Sequence, residues 1–465
     1  MSESTPAPRE NRMGTEPVRS LLAKMAVPMM LSMMVQALYN VVDSIFVAKI
    51  SEDALTAVSL GFPMQNLIIS FSVGLGVGMN ALLSRALGEH NKELVNDTAR
   101  QGLFLELCAA ALFVFIGWVF SPAFIRSQTD IPHIIDYGTT YLRICIGICP
   151  FCFLAVYAER LLQSTGRTHL SMVAQLVGAL VNIVFDPILI FGLLGFPKLG
   201  VAGAAIATVF GQFCGAMTGL LLHFRKNPEI HLTLRGFRPK SAVIGSILSV
   251  GIPSIIMSSI GSVMTYCMNR VLIVFTSTAV AVFGVYFKLQ SFIFMPVFGL
   301  NNALVPILAY NYGARRPDRM HKAIRTAIVY AVSLMILGFA LMQLIPGVFL
   351  RLFDASDDMM AIGIPALRTV SIAFLAAGSC IVLSGAFQAL GKGIYSMFVS
   401  IARQLVVLVP VAWLLSRTGN LNAVWWAYPI AEVMSVFVTL FLFSHLRNKV
   451  IRPLDEEFAQ THKAA

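Results

Sequence analysis

Two aspartates with polar neighbours at helical spacing are the residues best suited to chemistry. Asp43 follows Tyr39 and Asn40 by four and three residues, and Asp186 follows Asn182 by four, so each group shares one helix face. Both groups lie in apolar stretches, where a carboxylate is costly unless it has a function. Carboxylate and amide oxygens suit a hard cation, and two close carboxylates can share a proton. We therefore expect a site for H⁺, or for Na⁺ at Asp43, Asn182 and Asp186, with support from Tyr39 and Asn40.

Tyr141 and Thr208 are expected to complete this site. Each lies about two helical turns from the outer start of its predicted helix, which is the depth that the two aspartates also reach. A structural alternative stays open for the acidic pair. Asp43 could cap a frayed helix end, and Asp186, which directly precedes Pro187, could close a kink.

Gln36, Lys288 and Gln290 are the candidates for a ligand cavity between the two halves of the chain. For Lys288, extension of the ammonium group to the membrane interface is an equal alternative. Glu106 and Glu432 lack polar neighbours at helical spacing, so we interpret them as structurally paired. The first predicted helix carries methionines that suit either a cavity for apolar cations or core packing, namely Met25, Met29, Met30, Met33 and Met34.

The composition requires lipid as the main solvent. Of 465 residues, 57% are hydrophobic and 12% charged, whereas soluble domains average roughly 45–50% and 25%. The net charge of +11 resides in short loops without a basic stripe and interleaved aromatics, so nucleic acid is not an expected partner. The chain has no Walker A loop, no HExxH and no GxSxG motif. We expect no enzyme activity, no ATP-driven pumping and no cofactor other than a coupling ion.

Long apolar stretches predict twelve membrane-spanning helices. The fold class is then an all-α membrane protein, with two six-helix lobes related by a pseudo-twofold axis along the membrane normal. The predicted spans cover residues 21–48, 54–84, 94–120, 134–158, 168–193, 200–223, 245–275, 279–310, 321–349, 360–385, 394–415 and 423–446.

Basic residues in alternate loops predict the orientation. The loops at 224–243 and 311–325 carry five basic residues each and are expected in the cytoplasm, because the intervening loops carry one or none. Both termini are then cytoplasmic, and the chain is expected in the plasma (bacterial inner) membrane. The predicted regions are a cytoplasmic N-terminal tail (1–20), a first lobe (21–224), a cytoplasmic linker (225–243), a second lobe (244–449) and a cytoplasmic C-terminal tail (450–465).

A shift of 225 residues superimposes the two halves of the chain without a gap. Prolines, glutamines and glycines recur at equivalent positions, such as Pro28 and Pro253, Gln65 and Gln290, and Gly88 and Gly313. Parallel repeats of this kind predict two lobes with a cavity between them. The acidic site does not recur, because its equivalents are the apolar residues Met268, Val407 and Val411. Ion coupling is therefore expected in the first lobe alone.

Several motifs resemble those of the multidrug and toxic compound extrusion (MATE) family. They are residues 38–43 (LYNVVD) after Pro28, 54–58 (ALTAV), 74–78 (GLGVG), 163–166 (QSTG), Asn182 with the Asp186–Pro187 pair, and 200–208 (GVAGAAIAT). The resemblance extends over all twelve predicted spans. Some branches of the family place an acidic residue in the seventh span. Residues 245–275 contain no acidic residue, and in this respect the chain resembles the DinF-like branch.

The resemblance implies an antiporter that exports organic cations or drugs in exchange for Na⁺ or H⁺, by alternating access between two lobes. It also implies a bend of the first helix near Pro28. The expected partners are the lipid bilayer and small organic cations, and the chain is expected to be a monomer. A flippase for lipid-linked oligosaccharide is the alternative that stays open. The cation site of the family maps onto Asp43, Asn182, Asp186, Tyr141 and Thr208.

Overall fold

The computed structural model describes residues 10–233, 235–353 and 355–463, and it is predominantly helical. Within these residues ten helices can each span a bilayer, and two further helix pairs qualify as one bent span each. Twelve spans result, and the predicted fold class is confirmed. The spans are α1 (Val18–Ala48), α2 (Glu52–Gly88), α3 (Lys92–Arg126), α4 (Pro132–Gly147 and Pro150–Ser164), α5 (Thr168–Phe191), α6 (Val201–Lys226), α7 (Ser241–Leu272), α8 (Ser277–Gly313), α9 (Pro317–Leu344), α10 (Asp357–Ser371 and Phe374–Ala389), α11 (Gly393–Ser416) and α12 (Leu421–Thr461).

Several helices begin before the apolar stretch that predicts them, because polar residues cap their first turns. The Ser51 hydroxyl accepts a hydrogen bond from the backbone N–H of Ala54 at 3.0 Å, which starts α2. Asn91 does the same for Leu94 at the start of α3, also at 3.0 Å. Such caps satisfy N–H groups that have no partner within the helix. Hydropathy detects only the part of a helix that suits lipid, so most predicted starts fall a few residues inside the observed ones, whereas the predicted ends of α5, α7 and α9 lie beyond the observed ends.

The last helix extends beyond its predicted span. A π-helical segment (Arg447–Ile451) leads into a further helix (Arg452–Lys463). This extension lies beside the start of α9, where Nε2 of His321 is 3.2 Å from the carboxylate of Asp455. Hydropathy misses the extension because it is polar and amphipathic.

The fourth and tenth spans are both bent, at equivalent places in the repeat. The two parts of α4 meet at 43° between Gly147 and Pro150, and those of α10 meet at 48° between Ser371 and Phe374. The first break precedes a proline, which cannot donate a backbone hydrogen bond to the preceding turn. The residue equivalent to Pro150 is Leu375, so the second break occurs without a proline.

Glycines let the two lobes approach closely and reveal the pseudo-twofold relation. Gly74 of α2 packs against Ile255 of α7, and a Cβ at Gly74 would lie 2.4 Å from that side chain. Gly299, the equivalent of Gly74, packs against Met30, the equivalent of Ile255, with 2.7 Å from the added Cβ to the Met30 backbone. Such an exchange of partners is what a twofold axis produces at an interface.

The first half of α1 belongs to the core of the second lobe. Leu21, Met25 and Met29 are buried in the same apolar cluster as Phe283 and Leu304 of α8. The first methionines of the α1 series are therefore core residues. Farther along, α1 packs against α5 of its own lobe.

Candidate ion-coupling site and cavities

Asp43 of α1 and Asp186 of α5 face each other across the contact between their helices. The two carboxyl groups lie within hydrogen-bonding reach of one another. Asp186 is fully buried, and among the described residues neither of its oxygens has a hydrogen-bond partner; the same holds for Oδ1 of Asp43. Two acceptors that meet without a donor repel each other unless a cation or a proton lies between them.

The amide of Asn182 leaves its oxygen available to the same site. Its nitrogen donates a hydrogen bond to the Thr208 hydroxyl at 3.3 Å, and that hydroxyl donates to the carbonyl of Ala204 at 3.0 Å. The side-chain oxygen of Asn182 is buried, and no hydrogen bond reaches it from the described residues. Thr208 therefore fixes which end of the amide is free. The free end is an oxygen, the atom that can coordinate a cation.

Two tyrosines adjoin the acidic pair. Tyr39 is close enough to both carboxylates to interact with them electrostatically, and Tyr141 is close enough to Asp43. The Tyr141 hydroxyl is buried and accepts a hydrogen bond from Nε2 of Gln65 at 3.1 Å. Gln65 was recognised from the sequence only as a repeat position, although its match with Gln290 marks it as unusual in an apolar helix.

Asn40 and Pro28 remain apart from this cluster. Asn40 is exposed, and its side chain makes no hydrogen bond to any residue that the structure describes. Pro28 lies inside α1, which continues as a helix on both sides of it, and its carbonyl accepts a hydrogen bond from the Ser32 hydroxyl at 2.9 Å. The bend near Pro28 stays a prediction.

A cavity of about 120 Å³ opens in the first lobe between α1, α4, α5 and α6. Gln36, Tyr39, Asn182 and Thr208 line it, so it adjoins the acidic pair. Glu159 of α4 also lines this cavity, which the sequence did not indicate. The pattern around Glu159 gives little signal, because the residue lies beside Arg160 near the end of its predicted span and resembles an interfacial charge pair.

A larger cavity of about 390 Å³ lies mainly in the second lobe. Gln290 lines it, together with aromatic side chains of α8, α10 and α12. Glu432 also lines it and pairs with Arg403 at 3.5 Å, as the expectation of structural pairing requires. Lys288 lines neither cavity; it is exposed, and its ammonium group lies 5.7 Å from the ring centroid of Phe353.

The remaining buried glutamate of the first lobe lies away from the acidic pair. Glu106 of α3 accepts a hydrogen bond from the Ser72 hydroxyl of α2 at 3.2 Å. Arg160 interacts electrostatically with it. These neighbours agree with a structural role that joins α2, α3 and α4.

Twelve spans in two pseudo-symmetric lobes, with two internal cavities and an acidic pair in the first lobe, define a membrane transporter. The chain belongs to the MatE family, whose model matches it twice, over residues 28–188 and 253–414. The two matches begin 225 residues apart, which is the spacing of the internal repeat. Members of this family are transporters, so the chain is not an enzyme.

Individual relatives cover almost the whole chain. The multidrug export protein MepA of Staphylococcus haemolyticus is 25% identical over 426 residues, which are 91% of this chain and 93% of that protein. A FAD transporter of Shewanella oneidensis is 24% identical over 439 residues, or 93% and 96% of the two chains. A solved structure of an outward-facing multidrug resistance MATE transporter matches with a TM-score of 0.89 and 26% identity, over 97% of this chain and all of the other.

Proposed function

We propose that this transporter exports small organic cations and drugs in exchange for Na⁺ or H⁺ bound at Asp43 and Asp186. One observation carries the proposal: two carboxylates of different helices meet in the first lobe, and their buried oxygens have no donor among the described residues. Such an arrangement is stable only with a bound ion or proton. The two carboxylates are therefore expected to bind a cation or a proton.

Coupling requires that the ion and the exported compound favour different conformations. Asp43 and Asp186 lie on α1 and α5, so a bound ion draws these two helices together. Tyr39, Asn182 and Thr208 belong both to the ion site and to the wall of the first-lobe cavity. An ion that reorganises these side chains therefore competes with a ligand in the cavity. The inward ion gradient then drives export.

Organic cations are the proposed substrate class because a carboxylate, Glu159, and the ring of Tyr39 line the first-lobe cavity. The relative MepA is named for multidrug export, which agrees with this choice. The FAD transporter matches over nearly its whole length, and its named substrate is not a simple cation, so the substrate has to be tested directly. A flippase for lipid-linked oligosaccharide is not favoured, because the relatives named above transport other compounds.

The proposed setting follows from the loop charges. We place both termini in the cytoplasm of a bacterial inner membrane, with the basic loops on the same side. The transporter is proposed to act as a monomer in the bilayer. Its only proposed small-molecule partners are the coupling ion and the exported compound.

Dye export from purified protein in liposomes tests the proposal. A sodium gradient and a pH gradient are imposed separately, with ethidium as the substrate, and Asp43→Asn is compared with Asp53→Asn. Asp53 is exposed in the first turn of α2, so its variant is a matched control. Ethidium export is expected with one of the gradients, unchanged in Asp53→Asn and lost in Asp43→Asn. Export that needs neither gradient, or that survives in Asp43→Asn, would contradict the proposed coupling.

A further inference from the structure

Glu159 of α4 faces the first-lobe cavity, and among the described basic residues only Arg160 acts on it electrostatically, without forming an ion pair with it. We propose that it binds the positive charge of the exported cation, an assignment that rests on the function proposed above. One of its oxygens accepts a hydrogen bond from Nε2 of Gln175 at 2.7 Å, and Gln175 lines the same cavity. No ion pair within 4 Å involves Glu159 among the residues that the structure describes. A cavity carboxylate with only a neutral partner attracts a cation.

The adjacent arginine makes its hydrogen bond to a residue other than this carboxylate. Arg160 is buried and donates a hydrogen bond to Gln163 at 2.8 Å. Its side chain packs against Gly76 of α2, where an added Cβ would lie 2.9 Å from it. Glu432, the glutamate that lines the other cavity, differs from Glu159 because it forms an ion pair with Arg403. Arg160 therefore offsets the charge of Glu159 only from a distance, and among the described residues no cation contacts this carboxylate.

Glu159 contacts α5 at Gln175, about two helical turns from Asn182 of the ion site. Gln175 and Asn182 lie seven residues apart on α5, which corresponds to about 10 Å along the helix. Gln175 donates its hydrogen bond to Glu159, whereas Asn182 belongs to the ion site. The cavity therefore has Glu159 at one end and Asn182, a neighbour of the acidic pair, at the other. A ligand cation at Glu159 and an ion at Asp43 and Asp186 can interact through the side chains between them.

Binding of tetraphenylphosphonium to the purified protein tests this assignment. Glu159→Gln keeps the shape of the side chain and removes its charge, and Glu432→Gln is the matched change in the other cavity. Glu159→Gln is expected to weaken tetraphenylphosphonium binding on the order of tenfold or more. Glu432→Gln should leave binding within about twofold of the unsubstituted protein. The response of intrinsic fluorescence to Na⁺ or to acid is expected to persist in Glu159→Gln.

Unchanged affinity in Glu159→Gln, or an equal loss in Glu432→Gln, would overturn the assignment while the proposed transport function stands. If the unsubstituted protein binds no tetraphenylphosphonium, the proposed substrate class fails and the role of Glu159 fails with it. Glu159→Asp gives a further readout, because a shortened carboxylate should restore part of the affinity. A purely structural role of Glu159 would show no such rescue.

A second, independent observation concerns the chain before α1. We infer that residues 11–16 form a strap that holds the two lobes together at the end of the molecule carrying the basic loops. Nδ2 of Asn11 donates to the carbonyl of Thr165, between α4 and α5 of the first lobe, at 3.2 Å. From the second lobe, Arg319 donates to the carbonyls of Met13 at 3.0 Å and Glu16 at 2.6 Å.

The strap is packed as well as hydrogen-bonded. Met13 is fully buried. Its carbonyl also accepts a hydrogen bond from Nδ2 of Asn311 at 3.2 Å, and the Gly14 carbonyl accepts one from Arg316 at 2.6 Å. Separation of the lobes at this end moves Thr165 away from Asn311, so the strap can follow only one of them. Release of the strap is therefore a step in opening this side.

Distance measurements between spin labels at Lys92 and Lys322 test the strap. Both residues are exposed and lie near the starts of α3 and α9, one in each lobe. Deletion of residues 2–16 is compared with deletion of residues 2–9, which leaves the strap in place. Only the longer deletion should increase the population with a long label separation. Identical distance distributions for the two deletions would overturn the inference.

Asn11→Ala provides a second variant in case the longer deletion fails to fold. It removes the hydrogen bonds from the Asn11 amide to Thr165 and Glu229, together with the one that Asn11 accepts from the Met13 N–H, and keeps the chain length. A smaller shift in the same direction is expected, on the order of twofold in the ratio of the two populations. No shift in a folded Asn11→Ala protein, together with no shift in Arg319→Ala, would show that the segment does not hold the lobes together.

Discussion

Gly88 and Gly313 lie 225 residues apart in the sequence, and each contacts the helix that carries the other. A Cβ at Gly88 would lie 2.0 Å from the carbonyl oxygen of Tyr310, and a Cβ at Gly313 would lie 2.1 Å from that of Arg85. Tyr310 is itself the repeat equivalent of Arg85. The crossing of α2 and α8 is thus two copies of one contact, and only glycine fits at its centre.

This crossing predicts that Gly88→Ala and Gly313→Ala destabilise the observed conformation to a similar extent. Each methyl group would force the helices apart, at a cost of about 1–3 kcal/mol. Thermal unfolding in detergent measures the effect. Gly245→Ala is the control, because an added Cβ there meets no atom within 4 Å. Equal melting temperatures for Gly88→Ala and Gly245→Ala would contradict the close crossing.

The acidic pair predicts opposite effects on transport and stability. Asp186→Asn should reduce ethidium export to the level of protein-free liposomes, because one charge alone holds the coupling ion poorly. It should also raise the free energy of unfolding in ion-free buffer by about 1 kcal/mol or more, because an amide donor then faces Asp43. Vesicle export and thermal unfolding are measured side by side. A variant that loses both export and stability would indicate a structural role.

The free oxygen of Asn182 predicts a graded loss of ion affinity. Asn182→Leu removes a ligand and should raise the ion concentration for half-maximal export about tenfold or more. Thr208→Val keeps that ligand and removes only the hydroxyl that orients it, so a smaller rise of about two- to fivefold is expected. Initial export rates at a series of ion concentrations measure both. A larger effect of Thr208→Val would mean that the hydroxyl itself binds the ion.

The bend of α4 is predicted to survive Pro150→Ala. The equivalent break in α10 persists with Leu375 at that position, so packing of the surrounding helices is sufficient to bend the chain. Proline is also favourable at the first position of a helix, and its loss should cost less than about 1 kcal/mol. Structure determination of the variant would show the angle directly. A straight α4 would establish that the proline causes the break in this lobe.

Much of the architecture follows from local properties of the chain. The twelve spans follow from runs of apolar residues, and the two lobes follow from the matches of prolines, glutamines and glycines at a spacing of 225. Asp43, Asn182 and Asp186 could be grouped because helical periodicity places each aspartate beside its polar neighbours. The cap at Ser51 and the polar extension of α12 were missed, since hydropathy does not detect helices outside lipid.

The sequence by itself determined which residues are unusual for a membrane helix, because burial of a charge in lipid is costly wherever the helix packs. Only the tertiary structure decided which of them lie next to each other. Contacts between α1 and α5 join Asp43 to Asp186, while the rotation of α4 turns Glu159 into a cavity and Arg160 away from it. Neither arrangement can be derived from spacing along one helix, since each depends on how separate helices pack against one another.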